Sequence, residues 1–297
     1  MSLGHPPAEI VIDEALVRRL LTEQFPQHAA DTLELVGEGW DNVIFRLDRG
    51  LSIRLPRREA AAQLIHNEQR CLALLAPRLP LPVPVPIHAG VASPDYPWAW
   101  SICRWFEGER ASASPPRNLV EAAETLAGFV NALHVPAHDD APVNAVRGGP
   151  LAARLERITQ RILDVGAAGR LLGHDPGELV ARYRSFSAAP EWRGPPIWLH
   201  GDLHASNMLT SDGRLSAIID FGDVTSGDPA TDLAVAWIIL DQPARDHFCG
   251  LVERDDATWV RAKAWALSFA VFYLDSVDTD PVMGVMGERT LAQVLAS

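Results

Sequence analysis

The most informative part of this sequence is residues 200–223. Its polar residues lie in two segments, His200-Gly201-Asp202-Leu203-His204-Ala205-Ser206-Asn207 and Ile218-Ile219-Asp220-Phe221-Gly222-Asp223. Asn207 lies five residues after Asp202, and Asp220 lies eighteen residues after Asp202. A predicted strand, 215–219, directly precedes Asp220. Carboxylate and amide oxygens suit Mg²⁺, which takes one or two protein carboxylates and completes its shell with water and phosphate oxygens. Two of these three side chains could hold metal while the third acts as a base, as phosphoryl transfer requires.

The overall composition favours a folded protein and argues against nucleic-acid binding. The chain has 297 residues, 47% of them hydrophobic, enough for one large domain or two moderate ones. The formal net charge of −12 argues against a partner that needs a basic face. An acidic surface weakly favours a cationic ligand, although the ordinary solubility of a cytosolic protein explains the same charge.

The cysteines and apolar runs predict a cytoplasmic protein without a membrane partner. Cys71, Cys103 and Cys249 are far apart and form no Cys-x-x-Cys pair, so a disulfide framework or a cysteine zinc site is not expected. The N-terminus lacks the pattern of a signal peptide. The longest apolar run, 233–240, is too short to span a bilayer.

The first hundred residues predict an antiparallel α+β unit, because short apolar runs alternate with turns around one helix. A turn with Gly37, Gly39 and Asn42 joins the first two runs, and glycine lets backbone N–H groups approach phosphates. Arg54 lies on the third run and Glu68 on the next helix, so an ion pair is possible. Alone, each feature would more often be an ordinary turn or a solvated charge. The predicted strands are 33–36, 43–47, 51–55, 85–89 and 98–105, and the helices are 12–25 and 59–75.

After residue 105 the pattern becomes mainly helical. We therefore predict an N-terminal domain of residues 1–104 and a mainly helical C-terminal domain of residues 105–297. The stretch Gly227-Asp228-Pro229 is typical of a helix start. The predicted helices are 118–133, 151–163, 176–186, 232–240, 243–252, 257–275 and 288–295.

One hypothesis joins the polar residues of both domains. Asp202 would receive or orient the proton of an attacking hydroxyl, and Asn207 and Asp220 would hold Mg²⁺ against nucleotide phosphates. Arg54 would contact those phosphates, with Glu68 steadying it.

Two further segments complete the nucleotide site in this hypothesis. The turn from Gly37 to Asn42 would cover the phosphates. Residues Ile102 to Arg104, at the junction of the domains, would offer backbone groups to the nucleotide base.

These motifs resemble a known family. His200-Gly201-Asp202-Leu203-His204-x-x-Asn207 with Ile219-Asp220-Phe221-Gly222 resembles the catalytic and metal-binding loops of the aminoglycoside phosphotransferase family, within the protein-kinase-like fold. The segment Gly227-Asp228-Pro229-x-x-Asp232 resembles the family's stretch that braces the catalytic loop. The resemblance covers roughly residues 30–275 and is strongest between 198 and 235.

The resemblance implies an α+β, two-lobed enzyme with an N-terminal antiparallel sheet lobe and a larger, mainly helical C-terminal lobe. Such an enzyme moves the γ-phosphoryl group of ATP or GTP to a hydroxyl of a small molecule, with Mg²⁺. The acceptor would be an aminoglycoside, a macrolide or another hydroxylated metabolite, and an antibiotic acceptor would imply antibiotic resistance. The resemblance implies the residue roles given above.

The chain departs from the kinase pattern at two positions of the nucleotide site. Arg54 stands where a lysine is expected, and Lys263 is the only lysine in the sequence. Arginine is planar and grips phosphate bidentately, so the exchange alters the geometry. Asn42 stands where protein kinases often have a third glycine. No Ala-Pro-Glu segment follows Asp220, which favours a small-molecule acceptor over a protein.

Two other functions compete with this interpretation. A metallophosphoesterase-like hydrolase could use His200, Asp202 and His204 as metal ligands, but it needs further metal-ligand clusters downstream, and only His247 follows among the histidines. A nucleotide-binding pseudokinase would explain Arg54, but it does not explain why all three polar residues of the central stretch are present.

Overall fold

An antiparallel sheet of five strands forms the N-terminal part of the computed structural model, which describes residues 7–48 and 50–297. The strand order is β1-β2-β3-β5-β4, and every neighbouring pair is antiparallel. The apolar residues that alternate along the strands fill one core with the first helix. These strands are β1 (Leu33–Glu38), β2 (Asn42–Leu47), β3 (Leu51–Pro56), β4 (Pro86–Gly90) and β5 (Trp100–Arg104).

Two helices flank this sheet. Helix α1 (Glu14–Gln24) begins at Asp13, whose Oδ1 accepts a hydrogen bond of 2.8 Å from the backbone N–H of Leu16. Helix α2 (Glu59–Leu75) follows β3 and packs beside the sheet, while Cys71, Leu72 and Leu75 at its C-terminal end belong to the core of the C-terminal part. Since α2 also carries Glu68, this helix links the sheet to the site described below.

The C-terminal part is mainly helical, and its longest helix, α9, has buried residues around most of its circumference. Among the described residues, no helix has both the length and the apolar character needed to cross a bilayer. The helices are α3 (Leu119–Leu133), α4 (Leu155–Ala167), α5 (Pro176–Ser187), α6 (Ala230–Leu233), α7 (Val235–Ile238), α8 (Gln242–Leu251), α9 (Asp256–Asp275) and α10 (Pro281–Leu295).

Two helix predictions need correction. The predicted helix 288–295 is the second half of α10, which starts at Pro281. The first half contains two glycines, and Gly287 allows close packing, because a Cβ there would lie 2.9 Å from the backbone N of Leu274 on α9. The predicted helix 232–240 is divided into the short helices α6 and α7.

Small strands position the central stretch between the helices. The sheet β6-β8-β9 is built from Glu109–Arg110, Met208–Ser211 and Arg214–Ile218, and β7 (Ile197–Leu199) pairs with β10 (Thr225–Gly227). The predicted strand 215–219 corresponds to β9. The two-part α+β architecture agrees with the expected fold, while the boundary between residues 104 and 105 stays a prediction.

Candidate active site

The β8–β9 hairpin brings Asn207 and Asp220 together. Its register pairs Met208 with Ile218, and the backbone N–H of Ile219 donates to the carbonyl of Asn207 over 2.9 Å. Asn207 and Asp220 therefore flank the same end of the hairpin. Asp220 has a φ of 62°, in the left-handed region that non-glycine residues seldom adopt, and its side chain is 53% exposed. Asp220 therefore combines a strained backbone conformation with an accessible carboxylate.

Asp202 lies on the loop between β7 and this hairpin. The turn before it needs glycine at position 201, because φ is 85° and a Cβ would lie 2.3 Å from the carbonyl oxygen of Asp223. Asn207 Nδ2 donates to the backbone carbonyl of Asp202 over 3.0 Å, so the predicted base and the predicted metal ligand share a hydrogen bond.

The surroundings of Asp202 stabilise its ionised form. Arg147 Nη2 donates to Oδ1 over 3.0 Å, and His204 Nε2 lies 3.2 Å from Oδ2. Burial acts to raise the pKa of Asp202, but the nearby His204 and Arg147 outweigh it and lower that pKa. The carboxylate is therefore charged at neutral pH.

Asp232 supports the loop that carries Asp202 through hydrogen bonds to its backbone. Its fully buried carboxylate accepts hydrogen bonds of 2.8 Å from the backbone N–H groups of both His200 and Gly201. His134 Nε2 lies 3.1 Å from the same carboxylate. The bracing predicted for the segment 227–234 is thereby confirmed for Asp232. Asp228, in the same segment, forms a buried ion pair of 2.7 Å with Arg261.

The histidines of the loop are occupied by structural contacts. His200 Nδ1 accepts from the backbone N–H of Asp202 at 3.2 Å, and its Nε2 lies 3.1 Å from the carbonyl of Ile219. His204 Nδ1 accepts from the N–H of Ser206 at 3.2 Å, while Nε2 faces Asp202. Within residues 7–48 and 50–297, no three His, Cys, Asp or Glu side chains are grouped to hold a metal. This arrangement does not support the metallophosphoesterase alternative.

Arg54 joins the sheet to the catalytic hairpin. Its Nη1 donates to both carboxylate oxygens of Glu68, at 2.8 and 2.9 Å, and its Nη2 donates to Asp220 Oδ1 at 3.0 Å. Burial acts to lower the pKa of Arg54, but the charges of Glu68 and Asp220 raise it. Burial raises the pKa of Glu68, and Arg54 opposes that shift. A forked guanidinium can bind both carboxylates at once, which a lysine ammonium would do less well.

The glycine turn contacts the C-terminal part through Trp40. Gly37 belongs to β1 at a bulge, and Gly39 donates its N–H to the carbonyl of Asn42 over 2.8 Å. A Cβ at Gly37 would meet no atom within 4 Å, so the fold itself has room for a side chain there. Asn42 starts β2, and its buried Oδ1 has no hydrogen-bond partner. Between them, Trp40 reaches Phe272 of α9 with ring centroids 6.4 Å apart.

The junction residues Ile102 and Arg104 differ in how deeply they are buried on β5. Ile102 is fully buried and pairs with β3 on one side and β4 on the other, so its backbone lies inside the sheet. Arg104 is the last residue of the strand and is exposed. Arg104 is therefore the more accessible of the two residues.

Sequence reasoning missed Arg147 and Asn144. Arg147 contacts Asp202 and lies 3.5 Å from Asp223 Oδ2, and Asn144 Nδ2 donates to Asp223 Oδ1 over 2.6 Å. Burial raises the pKa of Asp223, Arg147 lowers it, and the neighbouring charge of Asp202 adds to the increase. Arg147 lies 55 positions before Asp202 in an irregular loop, so no local pattern in the sequence connects the two.

The site fits Mg²⁺ in its donor chemistry. Asn207 supplies an amide oxygen and Asp220 an accessible carboxylate at one end of a hairpin. A single carboxylate and an amide leave most of the coordination shell to water and phosphate oxygens, which is the usual arrangement for Mg²⁺ at nucleotide sites.

Asp202, Asn207 and Asp220 lie together, and Arg54 reaches them from the sheet, as expected for a phosphotransferase of the protein-kinase-like fold. The model of the phosphotransferase enzyme family matches residues 32–265, and the chain belongs to that family. No curated protein sequence matches the chain significantly.

Solved structures of similar fold include three antibiotic-modifying enzymes. The GDP complex of wild-type aminoglycoside 2'-phosphotransferase-IIIa aligns with a TM-score of 0.73 and 20% identity, over 96% of this chain and 99% of that one. The streptomycin-ATP-APH(2")-IIa ternary complex aligns with a TM-score of 0.62 and 17% identity, over 90% of each chain. Macrolide 2'-phosphotransferase type I aligns with a TM-score of 0.58 and 19% identity, over 95% and 97%. At these identities the likeness establishes the fold.

Proposed function

We propose that this protein transfers the γ-phosphoryl group of ATP or GTP to a hydroxyl group of a small molecule. One observation supports the proposal most strongly. Asp202, Asn207 and Asp220 lie together around the β8–β9 hairpin, and Arg54 contacts Asp220 from the sheet. No one of these side chains would specify the reaction, but together they supply a base, two metal ligands and a phosphate contact.

The base in this proposal is Asp202. The acceptor hydroxyl would approach the carboxylate, which orients the hydroxyl and takes its proton as the oxygen attacks phosphorus. His204 and Arg147 hold the carboxylate in one orientation, and Asp232 fixes the loop beneath it. This fixed geometry reduces the ordering needed at the moment of reaction.

Asn207 and Asp220 would hold Mg²⁺, which when bound neutralises charge on the nucleotide phosphates. Arg54 would bind the same phosphates through the part of its guanidinium that now contacts Asp220, while Glu68 keeps the other part in place. The turn from Gly37 to Asn42 would cover the phosphates.

The nucleotide base would lie at the junction near Arg104. Since Ile102 is inside the sheet, we assign the contact with the base to the exposed end of β5 rather than to Ile102. Neighbours of the same fold are solved with GDP and with ATP, so both nucleotides are candidates. The cysteine usage supports a reaction in the cytoplasm.

The acceptor belongs to the hydroxylated small molecules. Structural neighbours include complexes with kanamycin, streptomycin and gentamicin, and a macrolide enzyme. Aminoglycosides and macrolides are therefore the first compounds to assay, and an antibiotic acceptor would make the protein a resistance enzyme.

A nucleotide-consumption screen tests the proposal. Purified protein is assayed with ATP and with GTP, with Mg²⁺ or excess chelator, against antibiotics and hydroxylated metabolites. We expect consumption that needs Mg²⁺ and an acceptor, and a product heavier by one phosphoryl group in mass spectrometry. Nucleotide binding with no Mg²⁺-dependent turnover at all, not even slow hydrolysis of the nucleotide, would favour the pseudokinase instead.

A further inference from the structure

A row of arginines adjoins Asp202, which its first member, Arg147, contacts directly. Arg154, Arg157 and Arg161 are spaced i, i+3 and i+7 at the start of α4, which places them along one face of the helix. Arg147 precedes them in the adjoining loop and contacts Asp202 itself. We call these four residues the arginine row.

The arginine row packs on an aromatic face of α9. The guanidinium carbon of Arg154 lies 4.0 Å from the ring centroid of Trp265. Those of Arg147 and Arg161 lie 5.1 Å from the ring centroids of Phe269 and Phe272, respectively. Planar guanidinium groups are suited to such stacking, which holds them in place.

Carboxylates balance only part of the row. Arg147 contacts Asp202 and Asp223, and Arg161 Nε lies 3.5 Å from Asp275 Oδ2. Asp164, further along α4, is exposed and accepts a hydrogen bond from Gln160.

The two remaining arginines have no carboxylate partner. Within the described part of the chain, neither Arg154 nor Arg157 forms an ion pair. Arg154 is 7% exposed and donates to the Val146 carbonyl and to Ser268 Oγ, but its buried Nε has no partner. Burial lowers the pKa of Arg154, and the like charges of Arg147 and Arg157 lower it further, so positive charge is concentrated here. Arg157 is exposed and available to a ligand.

We propose that the arginine row binds an anionic group, a carboxylate or a phosphate monoester, on the acceptor whose hydroxyl is presented to Asp202. This inference rests on the proposed phosphoryl transfer and deepens it by assigning the acceptor class. Carboxylate and phosphate oxygens match the forked donors of arginine, and charge-assisted pairs of this kind are the strong ones. The acidic net charge of the chain weakly favoured a cationic acceptor, but Arg154 and Arg157 give the row positive charge that no carboxylate among the described residues balances.

Four hexoses that differ in charge test the inference. Binding of D-gluconate, D-glucose 6-phosphate, D-glucose and D-glucosamine is measured by calorimetry on protein saturated with Mg²⁺ and ADP. We expect at least one anionic probe to bind about tenfold or more tightly than glucose and glucosamine, because hydrogen bonds to charged groups contribute enough for that factor. The anionic probe that binds better identifies the group as carboxylate or phosphate.

Arg157→Glu should remove the preference for the anionic probe, since the residue is exposed and its replacement does not open the core. Arg182→Glu is the matched control, because Arg182 is exposed on α5 and lies outside the row. Glucosamine binding as tightly as the anionic probes, no binding of either anionic probe, or an unchanged preference in Arg157→Glu would each overturn the inference. Mg²⁺-dependent nucleotide binding and turnover in the same preparations are measured separately, and only their loss would count against phosphoryl transfer.

Discussion

Replacing Asp232 with asparagine should loosen the loop that carries Asp202. The Asp232 carboxylate is fully buried and accepts from the backbone N–H groups of His200 and Gly201, each at 2.8 Å. Asparagine has one acceptor oxygen, and its NH₂ group would face the second N–H. One charge-assisted hydrogen bond is then lost. The asparagine NH₂ group and a backbone N–H are left facing each other as two donors without an acceptor.

The expected loss of stability is large. A hydrogen bond to a charged group contributes about 1.5–3 kcal/mol, and a buried donor without a partner costs about 1–3 kcal/mol. We therefore expect the free energy of unfolding to fall by about 3–5 kcal/mol, a large share of the roughly 5–15 kcal/mol typical of folded proteins. The urea midpoint of the variant, compared with that of the wild type at equal slope, measures the change.

Asp255→Asn provides the matched control for Asp232→Asn. Asp255 is the exposed N-cap of α9 and accepts from the N–H of Thr258 at 2.7 Å. Asparagine caps helices about as well as aspartate, so this variant should change stability by only about a few tenths of a kcal/mol. If Asp232→Asn shifts the midpoint no more than this control does, the bracing role assigned to Asp232 is wrong.

Three further substitutions test residues of the candidate active site. Glu68→Gln should weaken nucleotide binding by about tenfold, because Arg54 loses its charged partner; calorimetry with Mg·ATP and Mg·GTP measures this, and an unchanged affinity would contradict the role of Glu68. Asp220→Ala should abolish the Mg²⁺ dependence of nucleotide binding in the same assay, and unchanged Mg·ATP and Mg·GTP affinities would remove Asp220 from the metal site. Arg147→Gln should lower kcat by about tenfold while leaving nucleotide affinity within about twofold, since Arg147 positions Asp202 rather than the nucleotide; a selective loss of nucleotide affinity would argue against that assignment.

The parts of the site that were predictable are close in sequence or follow a simple spacing. Asn207 and Asp220 flank one hairpin, so recognising a single strand between them was enough to bring them together. Arg54 and Glu68 lie on consecutive elements, β3 and α2, and their contact follows from packing the helix beside the strand.

The parts that were missed depend on contacts between distant segments. Arg147 lies in an irregular loop whose position is set by hydrogen bonds from Asn144 to the region around Asp223 and Thr225. No periodicity marks such a loop. The start of α10 was missed for a related reason, because Gly287 suggests a turn when read locally but permits close packing against Leu274 in the folded chain.

The central claim is that Asp202 serves as the base for phosphoryl transfer, and the kinetics of Asp202→Asn test it most directly. With an identified acceptor, kcat should fall by about 10²–10⁴, the range that acid–base catalysis contributes, while the Kd for Mg·ATP or Mg·GTP changes by no more than about twofold. Asp212→Asn, at the exposed turn of the same hairpin, is the control and should retain full activity. An Asp202→Asn enzyme with wild-type kcat would contradict the account.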